Sequence, residues 1–402
     1  MVQETMSMSA RYEYIRAMRD VYLRADRREK GEILTHIKTA TQLNRKYIIT
    51  CLNDPDLQQH KRSRERGRKY GADVAQAIGS LADALDWVCA ERLQPALTKT
   101  AKHMIAHGEV EISAQVLDQL GHISIATTGR ILKEIRPRER LPRASSGRPP
   151  DTSAQRAVPV SVIAWDVPEP GHFEMDLVHH GVPDQYGWLI CTIQFIDVLT
   201  GWSERFAIKG TGFDAIYGAI QAFKRHCRIP IREVHSDNGS EFINNALIAA
   251  LGNEHLNLTQ TRGRPGYHND NRFVEQKNSS LIRAYLGSTP FHTPDELRRL
   301  QRLYDDMWVY YNLFQPVLRQ TARTAKTGPN GVARIQRRQD TARTPFERLL
   351  EAKPPISRET QEYLQARLDS TPLLALKRRI HQQIAELRAP ADQPHQDNGN
   401  PV

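Results

Sequence analysis

The chain has 402 residues, 39% of them hydrophobic and 25% charged, which is room for two or three compact units with a core each. That excludes a single small domain, a collagen and a wholly disordered chain, and no stretch approaches the roughly 20 apolar residues of a membrane span. Lys and Arg outnumber Asp and Glu by 56 to 46, a formal charge of +10, which favours a polyanionic partner. The opening MVQETMSMSARYEYIR lacks the apolar region of a secretory signal, so a cytoplasmic protein without a membrane partner is expected. Cys51, Cys89, Cys191 and Cys227 are widely spaced and read as incidental thiols rather than a disulfide framework.

Residues 11–136 read as helical throughout. In RREKGEILTHIKTATQLNRKYIITCLN, Ile33, Leu34 and Ile37 share one helical face, and Leu43, Tyr47, Ile48 and Leu52 follow after a break at Thr39-Ala40-Thr41. Two short helices joined by a tight turn have the form of a helix-turn-helix. The second would carry Asn44, Arg45 and Lys46 at its start, where such a helix meets bases and phosphates. The run Lys61-Arg62-Ser63-Arg64-Glu65-Arg66-Gly67-Arg68-Lys69 cannot enter a core uncompensated. Beside a helix-turn-helix its Lys61, Arg62, Arg64, Arg66, Arg68 and Lys69 become a candidate phosphate-contacting arm; on its own it is a solvated linker. Residues 72–107 add amphipathic helices with Leu81, Leu85, Val88 and Leu93 on the core stripe. A second helix pair follows, with Val116, Leu117 and Leu120 before the turn Gly121-His122-Ile123, and Ser124 capping a helix through Ile131 and Leu132.

Residues 137–164, rich in Pro, Arg, Ser and Ala, read as a linker. Beyond it, within 165–315, strands alternate with helices: HFEMDLVHH, WLICTIQFIDV and WSERFAI, a helix over Phe213 to Cys227, the strand IREVHS, a helix over Glu241 to Leu251, and LNLTQT. Three strands on short connections form an antiparallel meander and later strands return through helices, which gives a mixed α/β sheet with helices on its faces. A long helix from about Pro294 to Leu313 follows. Residues 316–390 read as a basic, mostly helical region, loose from Gly328 to Thr344, and 391–402 as a disordered tail.

Three carboxylates stand out by position. Asp176 lies mid-strand among Phe173, Met175, Leu177 and Val178, a costly place unless the acid is paired, protonated or metal-bound. Asp237 ends the strand IREVHS at the turn Asp237-Asn238-Gly239. Glu275 lies on a helix opened by Asn269-Asp270-Asn271, short polar residues suited to an N-cap. Carboxylates brought to one sheet edge persist when divalent cations neutralise them, and hard oxygen donors select Mg2+ or Mn2+. Weighed beside them, Glu174 is a neighbouring acid on the same strand face and a candidate acceptor behind the site, Asp197 a turn residue capping N-H groups, Glu241 a first-turn helix residue, and His179 and His180 strand-end side chains facing solvent. Tyr310, Tyr311, Asn312 and Phe314 read as a helix packing back onto the core.

The stretch from Phe173 to Leu286 resembles the catalytic core of the retroviral integrase and transposase superfamily, whose signature is two Asp and one Glu on a ribonuclease H-like fold. Asp176 in HFEMDLVHHG, Asp237 in HSDNGSEF and Glu275 in GRPGYHNDNRFVEQKN match its motif positions in order. The turn Thr200-Gly201-Trp202-Ser203-Glu204 matches too, and the tandem helical pairs are similar to the N-terminal region of bacterial insertion-sequence transposases. One departure is the 37 residues between Asp237 and Glu275, slightly more than the integrase branch has; another is the absence of a two-His, two-Cys zinc module ahead of the core.

The resemblance implies a DDE-type recombinase that cleaves DNA and joins strands with two Mg2+ ions, Mn2+ substituting, held by Asp176, Asp237 and Glu275. Asn238 and Lys277, beside the catalytic acids, become candidates for DNA contact. The implied partner is double-stranded DNA, both element ends and target, with a homo-oligomer assembled on it. A metal-dependent nuclease without strand transfer and a non-catalytic DNA-binding regulator derived from an element stay open at this point.

Overall fold

The computed structural model describes residues 6–57, 69–136, 167–237, 239, 241–252, 257–263, 272–287, 289–327 and 333–389, with the backbone alone at 272, 275, 276, 279, 280, 320–327 and 333–337. Of the expected features, the basic residues Lys61, Arg62, Arg64, Arg66 and Arg68, the linker 137–164, Asn238, the cap Asn269-Asp270-Asn271 and the tail 391–402 lie outside the described residues. The chain divides into two compact units, Met1–Lys69 and Tyr70–Val402, so the boundary falls at the end of the basic run.

The first unit holds α1 (Met8–Arg24), α2 (Arg27–Thr41) and α3 (Arg45–Asn53). Asp26 opens α2 with a capping box completed by Glu29, which satisfies two free N-H groups of the first turn. The chain leaves α2 through Gln42 in the left-handed region, and Asn44 starts α3 by accepting the Lys46 N-H at 2.9 Å. Leu34, Ile37, Ile48, Cys51 and Leu52 bury against Ile15 and Tyr22 of α1.

The second unit opens with α4 (Ala72–Ala84), α5 (Ala90–Leu93), α6 (Leu97–Ala106), α7 (Ala114–His122) and α8 (Ile125–Ile135). Ser124 caps α8 by accepting the Thr127 N-H at 3.2 Å. Strands β1 (His172–His179), β2 (Ile190–Asp197) and β3 (Ser203–Lys209) form the antiparallel meander. Helix α9 (Phe213–His226) leads to β4 (Glu233–Ser236), and α10 (Asn245–Leu251) to β5 (Thr259–Arg262). The sheet order is β3-β2-β1-β4-β5, with β4 and β5 parallel to β1, a mixed five-stranded sheet compatible with a ribonuclease H-like core. Phe223 of α9 stacks on Phe195 at 4.0 Å between ring centres and meets Phe173 edge-on at 4.9 Å, closing one face.

Helix α11 (Arg272–Lys277) continues through a π-helical turn, Asn278–Arg283, into α12 (Ala284–Leu286). Helix α13 (Pro294–Val309) and its π-helical extension Tyr310–Phe314 run along the edge strand β3. Asn312 bonds both the N-H and the carbonyl of Ser203 at 2.9 Å, and Gln301 accepts the Ala207 N-H at 3.0 Å, so side chains occupy backbone groups that an edge strand otherwise leaves open. Tyr310, Tyr311, Asn312 and Phe314 are all buried, as the packing reading expects.

Two expectations are corrected. The stretch from Gly328 to Thr344 is not loose along its length: β7 (Ala333–Gln339) pairs antiparallel with β6 (Gln320–Thr327), a hairpin whose polar sequence carries no apolar alternation. The helix expected from Glu241 starts only at Asn245, because Asn244 provides the cap and accepts the Leu247 N-H. Helices α14 (Pro345–Glu351), α15 (Arg358–Asp369) and α16 (Leu373–Arg388) complete the unit.

Candidate active site

Strand β4 ends where β1 still continues. The last parallel pair is Met175 with Ser236, so one step further Asp176 stands opposite Asp237, on neighbouring strands about 4.8 Å apart. Strand β1 pairs antiparallel with β2 on one edge along Phe173–His179, and parallel with β4 on the other edge only as far as Met175. Asp237 is exposed and its Oδ1 accepts the Gly239 N-H at 2.9 Å. Asp176 is half-buried, and its Oδ2 accepts a 2.5 Å hydrogen bond from the Asn278 amide.

Glu275 lies on α11, one turn ahead of Asn278. Its helix is tied to β1 at its start as well, since Oε2 of the fully buried Glu174 accepts the N-H groups of Phe273 at 2.7 Å and Val274 at 2.9 Å. The π-helical turn that follows is a local widening of the kind found at functional sites. Among the described residues no group of three His, Cys, Asp or Glu side chains is placed to hold a metal ion. The donor set itself suits a hard divalent cation, because Asp176 and Asp237 present carboxylate oxygens from adjacent strands.

A further acid stands close by. A Cβ built on Gly239 would meet the Glu241 carboxylate at 2.7 Å, so that side chain folds back closely over the glycine. Burial, with the charge of Asp237 adding to it, pushes the Glu241 carboxyl above its usual range. Asp197 accepts N-H groups of Gly171 at 2.7 Å and Thr200 at 2.8 Å together with the Thr200 hydroxyl, the turn role its sequence suggests. His179 is exposed, but His180 is buried against Phe291 with Nε2 at 2.7 Å from the Thr192 hydroxyl; burial takes its pKa down to about 4.

Lys277 is half-buried on α11, and burial together with the charges of Arg92, Arg205 and Arg348 brings its amine down to about 7. In the first unit, Asn44, Arg45 and Lys46 are exposed at the start of α3. The Arg45 guanidinium lies 3.4 Å from the Thr35 hydroxyl and 3.5 Å from the Gly31 carbonyl, contacts too long to hold it firmly. Lys69 is the last residue of the first unit. Sequence reasoning missed Asn278 and left Glu241 as a bystander, while it named Glu174 only as a candidate acceptor without its partner. The only signal for Asn278 was its place in the NDNRFVEQKN block.

No family model matches the sequence. Among solved structures, the catalytic core domain of BIV integrase aligns at 18% identity over 48% of this chain and 98% of that one, with a TM-score of 0.29. A simian T-cell lymphotropic virus intasome in complex with PP2A regulatory subunit B56 gamma aligns at 16% identity over 54% of this chain and 70% of that one, with a TM-score of 0.28. A protein of Sinorhizobium fredii (strain NBRC 101917 / NGR234), "Uncharacterized protein y4rM", is 30% identical over 321 residues, 79% of this chain and 90% of its own length. Identity sustained over that share of both sequences means that the chain belongs to the family of y4rM.

Proposed function

We propose that the chain is a metal-dependent polynucleotidyl transferase of the DDE class, a transposase or integrase-like recombinase with Asp176, Asp237 and Glu275 as its catalytic carboxylates. The observation that carries this reading is the register of the sheet, which puts Asp176 opposite Asp237 where β4 ends, while β1 also anchors the helix bearing Glu275. The three carboxylates would hold Mg2+, two ions with Mn2+ as a substitute, which supplies charge neutralisation and polarisation at a phosphodiester. Asp176 is oriented for this by Asn278, and Glu241 adds negative charge beside Asp237. No activated Ser or Tyr is required of the protein, so no covalent protein-DNA species forms. Double-stranded DNA is the partner, read at element ends by Asn44, Arg45 and Lys46 and contacted along its phosphates by the basic residues 61–69, with Asn238 and Lys277 nearer the chemistry. Joining two ends to a target calls for two active sites, hence a homo-oligomer on DNA.

The test is to incubate the full chain and Mg2+ with DNA carrying the sequences that flank its own gene. Strand-joined products, lost in Asp176→Asn, Asp237→Asn and Glu275→Gln, support the reading. Cleavage that never yields a joined product points to a nuclease, and full activity in the variants removes the carboxylate assignment.

A further inference from the structure

We propose that Glu174 is a positioning residue, which by holding the start of α11 sets where Glu275 stands relative to Asp176; this rests on reading Glu275 as part of the metal-binding set. Glu174 precedes Asp176 by two residues, so the two side chains leave β1 on the same face. Its carboxylate is fully buried, and Oε2 takes the Phe273 and Val274 N-H groups from 99 and 100 residues away in sequence. A helix start leaves its first N-H groups unpaired and carries partial positive charge, so this is a place where a buried carboxylate is compensated. An ordinary cap comes from the residue just ahead of the helix. Here the acceptor belongs to the strand that carries Asp176.

A second tie fixes the direction of the helix. Asp176 holds Asn278 at 2.5 Å, so two residues apart on β1 there are two ties to positions 273–274 and 278. Two residues of strand span about 6.7 Å, and the four to five residues between the ties span about 7 Å of helix. The spans match, so the helix start runs alongside β1 in the same direction with Glu275 between the two ties. One tie would leave the helix free to pivot; two hold both its rotation and its advance along the strand.

The experiment uses the full chain, with Mn2+ as the probe, titrated by calorimetry, and with amide hydrogen exchange across residues 272–286. Glu174→Ala is expected to weaken Mn2+ binding by about 10-fold or more, the usual size for a partner that orients a metal ligand, and to speed exchange at Phe273 and Val274. Glu174→Gln keeps one carbonyl acceptor and is expected to lie closer to wild type than to Glu174→Ala in both readouts, which also guards against Glu174→Ala failing to fold. Glu204→Gln serves as the control: its buried carboxylate is held by Trp202, Trp308 and His226, not by α11. It is expected to lower the melting temperature while Mn2+ affinity stays unchanged. If wild type binds Mn2+ through Asp237 and Glu174→Ala leaves affinity and exchange as they were, the positioning role is overturned while the metal reading stands. Affinity that simply follows the melting temperature in Glu204→Gln as well overturns it too. If wild type shows no Mn2+ binding sensitive to Asp237→Asn, the metal reading itself falls and takes this inference with it.

Discussion

Two helix pairs in the first third of the chain share one sequence periodicity and are used differently. In α2 and α3 the apolar stripe closes on α1, a small core belonging to the first unit alone. In α7 and α8, Val116, Leu120, Ile123 and Leu132 join a core that runs on through Phe173, Phe195 and Trp308 of the sheet and its covering helices. The helices just ahead are bonded in place as well: Arg92 reaches the Pro316 carbonyl at 2.6 Å and Gln315 at 2.5 Å, and Lys99 pairs with Glu347 at 2.5 Å. An apolar stripe therefore tells that a helix buries a face and leaves open what that face meets. The first pair keeps an exposed helix start bearing Asn44, Arg45 and Lys46; the second is part of the body that carries the carboxylates.

The sharpest separation of the two regions is chemical. Asp237→Asn removes one charge from the proposed metal set, and the several kcal/mol of charge stabilisation at stake corresponds to about a 1,000-fold or greater loss of strand cleavage. DNA binding in a gel shift is expected to change little, because the proposed readers lie in the other unit. Loss of binding together with cleavage would merge the regions that the comparison keeps apart. Next in size come core truncations. Leu120→Ala and Ile37→Ala each remove a fully buried side chain at about 2–5 kcal/mol. Calorimetry is expected to show Leu120→Ala lowering the transition of the sheet-bearing unit and Ile37→Ala lowering that of residues 1–69. A sheet transition indifferent to Leu120→Ala would make the second pair as autonomous as the first.

Smaller still is the effect of single surface residues on recognition. Arg45→Ala removes a guanidinium only loosely held by Thr35 and Gly31, and loss of one good base contact amounts to about 1–3 kcal/mol of discrimination. Lys46→Ala, by contrast, is expected to weaken binding on all sequences and reduce the log-log salt slope by about 0.9. Fluorescence anisotropy on a panel of DNA duplexes at several salt concentrations distinguishes the two. Equal loss on every sequence for Arg45→Ala would make it a phosphate contact.

Much of this was legible from residue patterns. The apolar strand runs placed β1 to β3 within a residue or two, and Ser124 marked a helix start because it supplies an acceptor to the first turn, as Asn44 also does for α3. Asp176 and Asp237 stood out as candidates because an acid inside an apolar strand or at its end is costly unless it is compensated, a test that the structurally held Asp197 and Glu204 also meet. Long-range partners were not legible. Nothing local says that Glu174 caps a helix about a hundred residues on, that Asn278 holds Asp176, or that Glu204 gathers the indole N-H groups of Trp202 and Trp308 and the imidazole of His226. The hairpin of QTARTAKT with ARIQRRQ was hidden because neither strand has an apolar face to alternate.

The smallest expected effect concerns pH and belongs to the sheet-bearing unit alone. At the start of β1 and β4, Nδ1 of His172 lies 2.9 Å from Oε2 of Glu233, with the side chains 23% and 16% exposed. The hydrogen bond to Glu233 raises the His172 pKa, and the same bond, seconded by the Thr261 hydroxyl, holds Glu233 below the usual carboxylate range. A raised histidine contributes stability that is fully present below its unfolded pKa of about 6.5 and is lost as pH rises through the higher folded value. A depressed glutamate contributes stability present above its unfolded pKa of about 4.3 and lost as pH falls through the lower folded value. The pair is therefore strongest between about pH 4.3 and 6.5 and fades on both sides, by roughly 1 kcal/mol, the upper end for pairs with some solvent access. Subtracting the urea midpoints of Glu233→Gln from those of wild type across pH isolates this pair, since the His226 contact with Glu204 is common to both and cancels. A difference curve that rises through pH 7 instead of falling would mean that the histidine is neutral in the folded protein and that the bond is held without charge.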